Sequence, residues 1–166
     1  SCARRRRLAR AHWLDAAERS MLRSNLPASR ILRDHGATGC TDVTGFGLAG
    51  HLQEMLRASG CGAKVQLDAL PLLEGALEAS RGGIRSSLHG SNAAAVALSP
   101  ESAPFAEHSH FPLLFDPQTS GGLLAGVATA QVESCLAAMH AAGYPEAAAI
   151  GQITAGPPDG PVLTFS

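Results

Sequence analysis

The stretch GCTDVTGFGLAGHL, residues 39–52, changes character twice within fourteen residues, and few chain paths accommodate it. ATGCTDV suits a short buried strand ending near Val43. Gly45 and Gly47 then allow backbone dihedrals closed to other residues. From Phe46 to Ala58 the apolar residues Leu48, Leu52 and Met55 return at i, i+4 and i+7, the repeat of one helix face, with a stop at Ser59-Gly60. A strand must therefore turn sharply into a helix, with a lone carboxylate, Asp42, at the lip. Two readings stand open. Asp42 or Thr44 caps the helix, or the turn is a site where backbone N–H groups and a metal-holding acid meet a phosphate.

The second reading has a physical basis. A helix N-terminus carries unpaired N–H groups and partial positive charge, so it attracts phosphate. Asp42 alone would repel that phosphate unless a cation lay between them, and Mg²⁺ typically bridges one or two carboxylates to phosphate oxygens. Asp42 is thus a magnesium-ligand candidate. Thr41 and Thr44 are candidate phosphate or water partners, and Gly45 and Gly47 allow close backbone approach. A second polar loop, DPQTSGGLLAGV (residues 116–127), places Asp116, Gln118, Thr119 and Ser120 before Gly121-Gly122 and an apolar strand. It suits either an Asp-Pro turn with a hydroxyl cap or a binding loop.

The other elements define a fold class. Trp13, Ala17 and Met21 mark one face of a helix over residues 13–24, broken by Asn25 and Pro27. PASRILRDHG is a second short helix with Pro27 in its first turn and Gly36 as its stop. AKVQLDAL alternates as a strand, residues 71–80 are helical, and NAAAVAL supplies a helical turn or two. FPLLF and GLLAGVA fit strands, TAQVESCLAAMHAAG a helix capped by Thr129 and stopped by Gly143, and AAAIGQIT and PVLTF two closing strands around an AGPPDGP turn. GLLAGVA, its helix and AAAIGQIT form a strand–helix–strand unit. The expectation is an α/β (α+β) domain, a mixed sheet packed with helices.

Composition narrows the functions. In 166 residues the net charge is −1, which makes no electrostatic case for nucleic acid or an anionic membrane as partner. The arginines cluster in RRRRLAR, so residues 1–11 are expected to be a basic, disordered end or an anion-binding arm. Lys64 is the only lysine, and no P-loop pattern occurs. Cys2, Cys40, Cys61 and Cys135 lack CxxC spacing, which favours a reducing compartment over a zinc knuckle or disulfide framework. Without a secretory apolar stretch or a long apolar run, a soluble cytoplasmic protein is expected. His51 reads as a satisfied interface residue and His108 and His110 as solvated loop residues. Asn92 is a cap or a ligand contact. No GxSxG supports a serine nucleophile.

Together, CTDVTGFGLAGHLQEM and LFDPQTSGGLLAGV resemble the two signatures of the selenophosphate synthetase (selenide, water dikinase) family. GSN around Asn92 and the helix bearing Trp13, Ala17, Met21 and Asn25 extend the likeness over residues 12–156. Aminoimidazole ribonucleotide synthetase, thiamine-monophosphate kinase and the hydrogenase-maturation dehydratase share the architecture, but QTSGG in this form points away from them. The resemblance implies conversion of selenide, ATP and water to selenophosphate, AMP and phosphate with Mg²⁺, and a role for Asp42 as metal ligand. It also implies that Thr41, Thr44, Gly45, Gly47, Thr119, Ser120, Gly121 and Gly122 line the nucleotide site. The family's chain is about twice as long, and its N-terminal half carries the reactive Cys/Lys loop, further aspartates and the dimer sheet. Residues 12–166 are thus expected to be the C-terminal domain, needing a separate N-terminal domain, with homodimerisation possible and no turnover in isolation. A non-catalytic scaffold with this fold, or part of a related ATP-dependent synthetase, are the competing readings.

Overall fold

A computed structural model of the chain describes residues 10–156 and 163–166. Helix α1 spans Ala11–Leu22, one residue into the segment expected to be disordered; residues 1–9 and most of the AGPPDGP turn lie outside the described residues. Trp13 lies over Gly75, yet no residue of α1 is buried. Met21 is 39% exposed, so the expected apolar face ends without cover among the described residues.

Helix α2 (Leu26–Asp34) has Pro27 in its first turn, where the missing N–H costs nothing. Ala28 and Leu32, one turn apart, are buried against Cys135 and Met139 of helix α6 (Val132–Ala141). Against this helix pair packs a two-stranded antiparallel ribbon, through Leu123 and Ala125. Strand β1 (Gly39–Asp42) pairs with β3 (Leu123–Gly126), Gly39 opposite Gly126 and Asp42 opposite Leu123. Helix α3 (Gly47–Ser59) follows β1 and stops at Gly60, which is left-handed at φ 62° and donates its N–H to Leu56 O.

A second sheet has the order β4-β2-β5. Its central strand β2 (Cys61–Val65) runs antiparallel to β4 (Gly151–Ala155) and parallel to β5 (Leu163–Phe165). The main core lies between this sheet and α3. Leu52 and Leu56 meet Val65, Leu67, Leu114, Phe115, Leu163 and Phe165 there. Each fully buried leucine side chain contributes about 1.5–3 kcal/mol. Short helices α4 (Ala76–Arg81) and α5 (His89–Ala95) complete the core's rim. The chain is thus a mixed α/β fold, as expected, but with two small sheets in place of one.

Several boundaries differ for local reasons. FPLLF, expected as a strand, is a 3₁₀ helix over Phe111–Phe115. Pro112 cannot donate to a strand ladder but fits a helical first turn, and Leu114 and Phe115 are both buried. In AKVQLDAL the strand ends at Val65 and a 3₁₀ turn covers Leu67–Ala69. The helix of residues 71–80 shrinks to α4 because Gly75 is left-handed, at φ 79°. Thr129 opens a 3₁₀ turn instead of capping α6, whose N-cap is Gln131. The expected strand–helix–strand unit is split, since β3 pairs with β1 and β4 with β2.

Candidate functional site

The β1–β3 register brings the two singled-out motifs together. Leu123, opposite Asp42, directly follows Gly122, so the exits of TDVTGFG and DPQTSGG lie side by side. Two backbone bonds extend the pairing past the strands: Val43 N donates to Gly122 O and Gln118 N to Thr44 O, both at 2.9 Å. The contact leaves no room for side chains. A Cβ on Gly121 would overlap the Val43 carbonyl oxygen. Gly47, at φ 72°, would place a Cβ 2.8 Å from Leu114 O, so both its dihedral and its surroundings demand glycine.

Side chains tie this double loop to the rest of the fold. Asn92, buried in α5, donates through Nδ2 to Gly45 O at 2.9 Å and to Phe115 O at 3.0 Å. It is neither a cap nor a solvent-facing ligand; it clamps the glycine turn to the 3₁₀ helix. Asn25, expected to break a helix and counted in the family likeness without a stated contact, donates to Gly121 O at 2.9 Å. His51 is buried with Nε2 3.0 Å from Thr44 Oγ1 and Nδ1 3.3 Å from Glu54 Oε2. The satisfied role expected of His51 is thus realised by holding a candidate site residue. Spacing could not reveal the two asparagine clamps, because their partners are backbone carbonyls distant in sequence, whereas the partners of His51 lie only seven and three residues away.

The capping alternative for Asp42 and Thr44 fails. Phe46 occupies the α3 N-cap with no side-chain cap bond, and the Thr44 hydroxyl is engaged by His51. Asp42 is exposed and its carboxylate has no hydrogen bond or ion pair among the described residues. Thr41 Oγ1 donates to Asp42 O at 3.2 Å. Thr119 and Ser120 are exposed at the loop crest, and Ser120 is left-handed at φ 50°, rare for a residue with a Cβ. Gly45 and Gly122 are exposed beside them. All the sequence-predicted residues therefore lie on or at the ends of these two paired loops.

Electrostatics add a half-buried flank. Burial pushes the Asp116 carboxyl up, opposed by His89, by Arg85 and by the Ser86 backbone N–H. Burial and Arg85 together hold His89 below its ordinary value, with Asp116 opposing them. The His89 ring stands edge-on to Phe115, and its Nδ1 is buried without a partner. Burial, and then Asp42, pushes up the Cys40 thiol, which lies two residues before Asp42 on β1. Cys40, Cys61 and Cys135 are free thiols.

Residues 3–163 match the family described as AIR synthase related protein, C-terminal domain, and the chain belongs to it. Within that class it is similar to selenide, water dikinases. It is 36% identical to that of Pelobacter propionicus over 139 residues, 84% of this chain and 40% of the relative. It is 38% identical to that of Paraburkholderia xenovorans over 135 residues, 80% of this chain and 37% of the relative. The matches fall in the C-terminal part of these proteins, so the chain spans about two fifths of their length. Among solved structures, the E. coli hydrogenase maturation protein HypE matches with a TM-score of 0.51 and 21% identity, covering 82% of this chain and 35% of HypE. That likeness concerns the fold. No helix among the described residues is long and apolar enough to cross a membrane.

Proposed function

We propose that this chain is the C-terminal part of a selenide, water dikinase and supplies one wall of its Mg-ATP site. The observation that carries the reading is the β1–β3 register, which joins Asp42 and the TDVTGFG turn to the DPQTSGG loop as one surface. The similarity to proteins named selenide, water dikinase supports the substrates ATP and selenide. The products would be selenophosphate, AMP and phosphate.

The residues present fit magnesium. Mg²⁺ is a hard cation that takes oxygen ligands and keeps several waters, and Asp42 offers exposed carboxylate oxygens without a competing partner. Asp42 would hold the ion, which when bound neutralises charge on the phosphate oxygens. Thr44, fixed by His51, presents its hydroxyl at the turn. Thr41, Thr119 and Ser120 offer further hydroxyls, and the exposed Gly45 and Gly122 let a phosphate approach the backbone, whereas Gly47 and Gly121 are taken up by packing against Leu114 O and Val43 O. Positioning is the protein's main contribution in phosphoryl transfer, and the Asn92 and Asn25 clamps supply it.

One carboxylate is a sparse donor set for a phosphate-bound cation. The chain by itself is therefore expected to bind ATP weakly and to turn nothing over, the remaining groups coming from an N-terminal domain. The test is a chimera joining this chain to the N-terminal part of the Pelobacter propionicus relative, assayed for selenide-dependent AMP formation. Activity that disappears with Asp42→Asn supports the reading. A folded chimera without activity, or one equally active with asparagine at position 42, refutes it.

A further inference from the structure

On the side of the core where β2 ends, Asp68, His108 and His110 each offer one ligand atom, and these atoms lie within 4.8 Å of one another. Two segments forty residues apart in sequence make this meeting. Asp68 lies in the 3₁₀ turn that follows β2, while His108 ends one 3₁₀ helix (Pro100–Glu107) and His110 begins the next. We propose that these three residues form a binding site for a borderline divalent transition-metal ion of the zinc type, separate from the Asp42 surface.

One hydrogen bond prepares the His110 donor, and another sets the His108 tautomer that an ion must change. His110 Nδ1 lies 2.8 Å from Leu67 O, so in its neutral form it donates there and leaves the Nε2 lone pair for an ion. A backbone carbonyl holding the far nitrogen is the usual way a ligating histidine is oriented. His108 Nε2 is 3.3 Å from Asp68 Oδ1, close to the roughly 3.3 Å separating two ligands of a tetrahedral zinc ion. His108 Nδ1 accepts from His110 N at 3.2 Å. Without metal, the His108 proton therefore sits on Nε2, facing Asp68. An ion entering between Nε2 and Asp68 takes that proton's place and the ring proton moves to Nδ1, where it would face the His110 N–H, so binding also requires the His108 ring to turn away from that amide. The third donor closes by side-chain rotation.

Donor chemistry selects the ion. Two imidazole nitrogens and one carboxylate suit Zn²⁺, Co²⁺, Ni²⁺ or Cu²⁺, whereas Mg²⁺ prefers oxygen. Arg81 reaches Ser109 Oγ, between the histidines, at 3.4 Å, so a cation already borders the cluster. With three protein ligands the fourth position stays open to water, and the ion would clip the turn after β2 to the 3₁₀ helices over the core.

The experiment is titration of the chelator-stripped 166-residue chain with zinc chloride by calorimetry, with thermal unfolding alongside and Co²⁺ as a spectroscopic probe. One Zn²⁺ per chain is expected, with a higher unfolding temperature. Asp68→Asn and His108→Asn should each weaken binding about tenfold or more and remove the thermal shift. Asp42→Asn and excess Mg²⁺ should leave zinc binding intact. Asp68 is highly exposed, so its variant tests the site without threatening the fold. Absence of saturable binding, binding unchanged in the Asp68 and His108 variants, displacement by Mg²⁺, or a thiolate-to-cobalt charge-transfer band would each overturn the site.

Discussion

The side-chain amide of Asn92 donates to Gly45 O at 2.9 Å, bridging 47 positions of sequence to hold the glycine turn before α3. The same nitrogen reaches Phe115 O, so one buried amide satisfies two carbonyls from different segments. Asn92→Ala leaves both without that donor and is expected to cost about 1–3 kcal/mol, read from urea unfolding midpoints. Amide hydrogen exchange should rise at residues 44–47 in the same variant. A midpoint unchanged from the parent protein would show that the clamp is incidental.

Gly47 and Gly121 are expected to resist even alanine. Gly47→Ala combines a left-handed dihedral with a 2.8 Å approach to Leu114 O, and Gly121→Ala drives a methyl into Val43 O. Each should lose about 1–3 kcal/mol. Gly36→Ala shares the positive φ, 70°, but meets nothing within 4 Å; it should cost less than either, which separates crowding from dihedral strain in the same denaturation assay.

Acidification should weaken the fold through His89. Burial and Arg85 hold its folded-state value below the ordinary 6.5. A depressed value means that the unfolded chain binds the proton more readily. The associated stability is therefore complete above pH 6.5 and declines as pH falls through the folded-state value. Asp116, raised by burial, has the opposite sign: its contribution is greatest at low pH and declines as pH rises through its folded-state value. In His89→Asn the slope below pH 6.5 should flatten relative to the parent, as followed by thermal unfolding across a pH series.

Asp42 should separate function from folding. Its carboxylate is exposed and without a side-chain partner among the described residues, so Asp42→Asn should change stability by less than about 0.5 kcal/mol. In the chimera it should reduce selenide-dependent AMP formation by about 100-fold or more, the several kcal/mol that metal neutralisation of phosphate charge supplies. A large stability loss instead would mark Asp42 as structural.

The periodic and punctuated elements were legible in residue order. Leu48, Leu52 and Met55 with Gly60 defined α3, and Pro27 with Gly36 defined α2, because helical spacing and stop residues act locally. FPLLF was misread since five apolar residues carry no period, and only Pro112 hinted at helix. Strand partners were not legible either. The order β4-β2-β5 joins segments some ninety residues apart, and local pattern holds no information about which strand accepts another's hydrogen bonds.

The same division runs through the site. Sequence alone determined the α/β class, the strand–turn–helix path at Gly45 and Gly47, and the candidate donors Asp42, Thr41, Thr44, Thr119 and Ser120, because glycine freedom and oxygen chemistry belong to the residues themselves. Tertiary structure decided that TDVTGFG and DPQTSGG share one surface, that His51 holds Thr44, and that Asp68 joins His108 and His110. Those meetings depend on long-range pairing and on which buried polar atom finds a partner. Both follow from the burial of the whole chain, not from any short stretch of it.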